Sequence, residues 1–384
     1  MTTLEVVVDQ LIAPVPGGIG RYTRELARHL VTTAPAGWEV EGVVSAVSRR
    51  RVHELEADIP GIARVRRLPL DRRLLARAWE FGLPPSAGAG AGARIHGTSL
   101  LAPLREHPRG AGGRVVVATI HDVVPWSHPE TLTPRGVAWH RAMAERAQRF
   151  ADGVVVPTRA VADRLAELLD FGDRIHVIPG AASDDLGLPD DHEARASALD
   201  LPERFVLAVG TLEPRKGLAH LIAAFADPAA PGIPLLIAGP SGWGDVDVDA
   251  IAAESGVPNG RIRVLGHVSE ADLAVLYDRA TAFVMPSLAE GFGLPIVEAF
   301  VHGTPVIHSD APALVEVAGG AGITVALDAR DGYATRLAHA IAEVVADPDR
   351  AARLGSLGRE RAKDFDWTTS AGKVWDLQLG LGAA

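Results

Sequence analysis

Glu290 and Glu298 flank a segment bared by glycines, Pro286-Ser287-Leu288-Ala289-Glu290-Gly291-Phe292-Gly293-Leu294-Pro295-Ile296-Val297-Glu298. The apolar run Ala282–Met285 precedes it, and Pro295 suits the first position of a helix. Glu290 then falls in the loop beyond a strand, and Glu298 in the first turn of the helix. Carboxylates cannot hold phosphate, but they accept hydrogen bonds from sugar hydroxyls. An acid favoured by the helix dipole accounts for Glu298. It does not account for Glu290 or for Gly291 and Gly293. A second stretch carries the opposite charge: Gly210-Thr211-Leu212-Glu213-Pro214-Arg215-Lys216-Gly217. Two cations at a helix N-terminus oppose its dipole, and an anion between them relieves that conflict. A fork-shaped Arg beside a point-charge Lys suits a pyrophosphate. The alternative is two solvated surface charges, but the chain has only three lysines, Lys216, Lys363 and Lys373.

Three weaker patterns accompany these. Gly17-Gly18-Ile19-Gly20 follows the first apolar run and opens a helix, where bare backbone N–H groups can meet an anion. A tight strand-to-helix turn is the plainer reading. It does not complete G-x-G-x-x-G, which counts against a nicotinamide-dependent dehydrogenase. His121-Asp122 follows Val115–Ile120, where His121 reads as a candidate general base. An HD metal pair is the lesser reading, because the other histidines lack ligand spacing. Asp245-Val246-Asp247 is a D-x-D, but it stands just before a helical pattern and reads as a cap. No metal site is expected. There are no cysteines, hence no thiolate ligand or nucleophile.

Short β-branched runs alternating with amphipathic stretches must position these groups. Strands are expected at Leu4–Asp9, Val115–Ile120, Gly153–Val156 and Ile175–Ile178. The pattern restarts with Phe205–Val209, Leu235–Ala238, Arg261–Leu265, Ala282–Met285 and Pro305–His308. Uniformly apolar strands indicate parallel sheets covered on both faces, an α/β fold. A length of 384 residues suits two domains. Residues 1–180 form one and 203–365 the other, with 181–202, rich in Pro, Gly and Asp, as linker. Net charge is −10, split as +4 over residues 1–180 and −14 beyond. That acidity argues against nucleic-acid binding. No run is long enough to span a bilayer and no signal peptide is apparent, so a cytoplasmic location is expected.

The ordered motifs resemble the GT-B-fold retaining glycosyltransferases of family 4, in the mannosyltransferase-like branch. The resemblance runs through Gly17–Leu26, Thr119–Asp122, Gly210–Gly217, Ala238–Gly244, Leu265–Ser269, Pro286–Phe300 and Gly303–Ile307. It implies two facing Rossmann-like domains with a central cleft, and a C-terminal helix, 366–384, that returns to the first domain. It also implies transfer of a hexose, with mannose from GDP-mannose favoured, onto a glycan or lipid-linked acceptor in cell-envelope polysaccharide or glycolipid synthesis. By similarity, Arg215 and Lys216 neutralise the donor diphosphate in place of a metal, Glu290 holds sugar hydroxyls and His121 touches the sugar. Gly210, Thr211, Gly291, Phe292, Gly293, Leu294 and Glu298 complete the donor site, with Glu298 on the ribose. Gly18 and Gly20 approach from the first domain. Trp243 and His267 border the donor base or sugar, although packing roles explain them equally well.

Ala289 departs from the family, where an aromatic is common, and so does Phe300-Val301-His302. Both bear on donor specificity. Two rival readings are a nucleotide-sugar epimerase on the same plan and a non-catalytic binding subunit. Residues 49–77 hold nine arginines against four acids. They suggest a peripheral contact with an anionic membrane surface or acceptor, against the plainer reading of a solvated face.

Overall fold

The computed structural model describes the chain except residues 89–91, 108–112, 243, 245, 328–331 and 384. The chain divides into two compact units, Met1–Gly180 joined by the chain from Asp366 on, and Ala181–Phe365.

In unit 1 the strands are β1 (Thr2–Val7), β2 (Trp38–Val44), β3 (Arg64–Arg67), β4 (Arg94–Gly97), β5 (Val115–Thr119), β6 (Gly153–Val156) and β7 (Ile175–Val177). They form one parallel sheet in the order β3-β2-β1-β4-β5-β6-β7. Its helices are α1 (Gly17–Thr32), α2 (Arg49–Asp58), α3 (Arg72–Glu80), α4 (Val124–Ser127), α5 (Pro134–Phe150), α6 (Arg159–Leu168) and, after unit 2, α15 (Trp367–Ala383). β1 ends two residues before the expected Asp9. That residue is fully buried at the start of a short 3-10 turn, accepting from Ser45 N at 2.7 Å and pairing with Arg72 at 3.0 Å.

The Arg-rich stretch spans α2, β3 and α3, and its charge is largely spent within the unit. Arg50 and Arg51 meet Glu54, Arg64 meets Glu41, Arg66 meets Glu5, Arg72 meets Asp9 and Arg77 meets Glu80. β3 is thus an edge strand whose arginines neutralise carboxylates on β1 and β2.

Unit 2 has β8 (Val206–Val209), β9 (Leu235–Ala238), β10 (Ile262–Gly266), β11 (Ala282–Met285), β12 (Val306–Ser309) and β13 (Ile323–Val325). They form a parallel sheet in the order β10-β9-β8-β11-β12-β13. Its helices are α7 (His192–Ala198), α8 (Leu218–Ala224), α9 (Val248–Glu254), α10 (Glu270–Arg279), α11 (Leu294–His302), α12 (Pro312–Ala318), α13 (Tyr333–Ala346) and α14 (Pro348–Ala362). The stretch 181–202, expected as linker, is folded into this unit. Leu186 enters the core and His302 Nε2 donates to its carbonyl at 3.0 Å, while Arg195 on α7 pairs with Asp272 at 2.9 Å.

Both sheets have the doubly wound order, with the reversal at β1/β4 and at β8/β11. Ligands of such sheets bind beyond the strand C-termini at that reversal. Among the described residues no helix is long and apolar enough to cross a membrane.

Candidate functional site

The reversal in unit 2 brings the two charged stretches together. β8 runs into Gly210 and Thr211, then a single 3-10 turn, Pro214–Lys216. Gly217 follows with φ +65°, and a Cβ there would meet Pro286 O at 2.2 Å. Only glycine fits both that backbone angle and that approach. β11 runs into Pro286–Glu290, and Leu288 N donates to Arg215 O at 2.9 Å, tying the loops together. The cations therefore stand in a 3-10 turn ahead of α8, not in the first turn of the helix.

Each Glu290 oxygen takes one cation. Arg215 Nη1 donates to Oε2 at 2.8 Å, and Lys216 Nζ donates to Oε1 at 2.6 Å. Arg215 also donates to Ala289 O at 2.9 Å and, through Nη2, to Glu213 Oε1 at 2.7 Å. Burial alone would raise the Glu290 carboxyl, but the charges of Arg215 and Lys216 outweigh it and hold the pKa at about 2. The carboxylate is ionised throughout the physiological range. Sequence reasoning did not find Glu213, whose role as an Arg215 partner becomes visible only when the turn folds it back.

Gly293 adopts φ +96°, and a Cβ there would lie 2.6 Å from Leu314 Cδ2. The helix starts after it, at Leu294, so Pro295 is its second residue. Glu298 is accordingly the fifth residue, beyond the first turn where it was expected. It is fully buried, and Tyr277 Oη on α10 donates to its Oε2 at 2.9 Å. Phe292 is core, with its ring edge on Phe365 at a centroid distance of 5.5 Å. Gly291 is buried beside it, and His267 is exposed just past β10. Trp243 and Asp245 lie outside the described residues. Asp247 caps α9, accepting from Ala250 N at 3.0 Å, as the capping reading of the D-x-D requires of it.

In unit 1, Gly18 is exposed in the first turn of α1. Gly20 is buried, and a Cβ there would lie 2.4 Å from Pro16 Cβ, so close packing is what this glycine permits. His121 stands just past β5, half-buried, with Nε2 2.7 Å from Thr98 O. A carbonyl can only accept, so Nε2 carries the proton, and in the neutral ring Nδ1 holds the lone pair. Thr98 is itself fixed, its Oγ1 donating to Val7 O at 2.8 Å and accepting from Thr23 Oγ1 at 3.0 Å. Burial lowers the His121 pKa against the opposing pull of the Thr98 carbonyl and Asp122, favouring a neutral ring. His96, beneath it on β4, is held at about 4 by burial first and by His121 second.

Two family descriptions match in tandem: Glycosyltransferase Family 4 over residues 16–185 and Glycosyl transferases group 1 over 190–361. The chain belongs to the family 4 glycosyltransferases. O-antigen chain mannosyltransferase B of Escherichia coli is 32% identical over 262 residues, covering 65% of this chain and 66% of that protein. The chain thus spans just under two thirds of that relative's length. MMP alpha-(1->4)-mannosyltransferase of Mycolicibacterium hassiacum is 26% identical over 410 residues, covering 93% of both. Sucrose-phosphate synthase from Thermosynechococcus elongatus superposes with a TM-score of 0.76 at 24% identity, covering both chains completely. With the two doubly wound units, that likeness assigns the GT-B fold.

Proposed function

We propose that this family 4 protein is a retaining hexosyltransferase. It moves mannose from GDP-mannose to a glycan or lipid-linked acceptor in cell-envelope polysaccharide or glycolipid synthesis. The observation that carries the reading is Arg215 and Lys216 clasping Glu290 at the sheet reversal of unit 2. The names of the relatives support mannose as the sugar. The epimerase and binding-subunit readings are not favoured, since those relatives are transferases and Arg215, Lys216 and Glu290 are all present.

In the reaction the bond from the anomeric carbon to the diphosphate breaks, and a bond to an acceptor hydroxyl oxygen forms as that hydroxyl passes its proton to the departing diphosphate. Negative charge grows on the departing nucleoside diphosphate. Two preorganised cations in a largely buried loop pair stabilise that charge more than they would in water. We assign this work to Lys216 and Arg215 and assign no divalent metal. Glu290 is the anion that the diphosphate must join or displace, and its oxygens then serve the sugar hydroxyls. Gly210, Thr211, Gly291, Gly293 and Leu294 are the backbone positions assigned to the donor. Glu298, held by Tyr277, is assigned to the ribose. From unit 1 we assign Gly18 and His121, and leave Gly20 its packing role. A membrane contact has little to draw on in the Arg-rich stretch. Arg49 and Arg73 are the arginines there whose side chains have no partner among the described residues.

A thermal-shift screen of nucleotide sugars tests this reading. A ligand at 100 times its Kd stabilises the folded state by about 2.7 kcal/mol. GDP-mannose should raise Tm most, with or without chelator. A larger shift with a UDP sugar reassigns the donor, a requirement for added metal removes the metal-independent mechanism, and no shift with any nucleotide sugar rejects the reading.

A further inference from the structure

The C-terminal helix reaches the candidate catalytic histidine through a stack of rings. Trp367, the first residue of α15, is buried and lies with its centroid 5.4 Å from the Tyr22 ring at 68°. Tyr22, also buried, meets the His121 ring edge-on at 4.7 Å and 86°. Such edge-to-face contacts are directional and fix ring orientation as well as position. The outer end of the stack is anchored. Further along α15, Trp375 Nε1 donates to Leu30 O on α1 at 3.1 Å, Gln378 Nε2 donates to Ile95 O on β4 at 3.2 Å, and Ser370 Oγ donates to Pro179 O at 2.8 Å. These bonds tie α15 to α1 and β4, and both rings of the stack next to His121 are buried.

We propose that Tyr22 and Trp367 are positioning residues that hold His121 with its Nε2–H on the Thr98 carbonyl and its Nδ1 unprotonated. This rests on the reading of His121 as the sugar contact. The hydrogen bond alone sets one atom of the ring, and the imidazole can still swing about it. The edge of Tyr22 removes that swing, and Trp367 removes the matching freedom of Tyr22. The chain thus places the first residue of α15, just past unit 2, against the ring that orients His121.

The test uses the full chain labelled with ¹⁵N-histidine, with the His121 signal assigned by its loss in His121→Gln. The wild type should show the Nε2–H tautomer. Trp367→Leu should average the two tautomers and lower kcat for GDP-mannose hydrolysis by roughly 10- to 100-fold, the scale of a small misplacement, while KM stays unchanged. Trp367→Phe, which keeps a ring, should restore both. An Nδ1–H tautomer in the wild type overturns the proposal without any variant, even if Trp367→Leu fails to fold. So does a folded Trp367→Leu that keeps tautomer and kcat. Full turnover in His121→Gln strikes instead at the sugar-contact reading, and leaves the tautomer result standing.

Discussion

At the scale of single residues, the donor site depends on three charges that satisfy one another before any ligand arrives. Glu290 has one oxygen on Lys216 and the other on Arg215, and Arg215 is steadied by Glu213 and the Ala289 carbonyl. Removing the carboxylate charge while keeping its shape should separate binding from turnover. In Glu290→Gln both cations lose their competitor, so nucleoside diphosphate should bind at least as tightly as in the wild type. Turnover should fall by about 100-fold or more, the loss typical when one preorganised group at the reacting centre is removed. Calorimetry beside a hydrolysis assay checks both halves. Weaker diphosphate binding in this variant would show that Glu290 does not compete for the cations. The motif residues were legible in the sequence because each lies in a short contiguous run. Their mutual pairing was not, since Glu290 meets Lys216 across 74 positions. Tyr277 was missed for the same reason, as nothing within its own helix points to Glu298.

At the scale of elements, glycines and loop contacts decide where the charges stand. Gly217 holds a left-handed turn pressed against Pro286, so Gly217→Ala is strained by both backbone and contact. It should destabilise unit 2 by more than about 1 kcal/mol. Diphosphate affinity should fall with it, because Lys216 precedes the turn. Denaturant unfolding and calorimetry on the same variant read the two effects.

In unit 1 the loop after β4 is held by His107, whose Nε2 lies 2.8 Å from Asp152 Oδ2 and whose Nδ1 lies 2.9 Å from Arg105 O. Both nitrogens face acceptors, which favours the imidazolium, and the pKa is raised mainly by Asp152. A folded-state pKa above the unfolded value makes this contribution complete below about pH 6.5. It is lost as pH rises through the folded pKa. The Tm gap between wild type and His107→Gln should accordingly be wider at pH 6 than at pH 9, and an equal gap would count against the charged pair. The apolar strands were legible from their composition. β3 was not, because an edge strand reading Arg-Val-Arg-Arg has no apolar face, and its logic lies in Glu5 and Glu41 on other strands.

At the scale of the whole molecule, chain order and unit membership differ. The expected linker, 181–202, is part of unit 2, because Leu186, α7 and Arg195 find partners there. Its Pro, Gly and Asp content concealed this, since a seven-residue helix with no buried residue leaves no periodic signal. α15 belongs to unit 1, where Trp367, Val374 and Trp375 are buried. Each such side chain contributes about 1.5–3 kcal/mol. Ending the chain after Phe365 should therefore loosen unit 1 selectively, with amides of β1 and β4 exchanging faster and those of β8 and β11 unchanged. Uniform protection in both units would contradict that assignment.

The charge asymmetry also takes on a structural meaning. The acidic second half must attract a diphosphate locally, and Lys216 and Arg215 are the means proposed. The most direct measurement is calorimetric titration of GDP into wild type and Lys216→Ala, both in chelator. Loss of one charge-assisted hydrogen bond costs about 1.5–3 kcal/mol. The account predicts binding by the wild type and an affinity lower by at least about tenfold in a variant that remains folded. Equal affinities in the two proteins would contradict it.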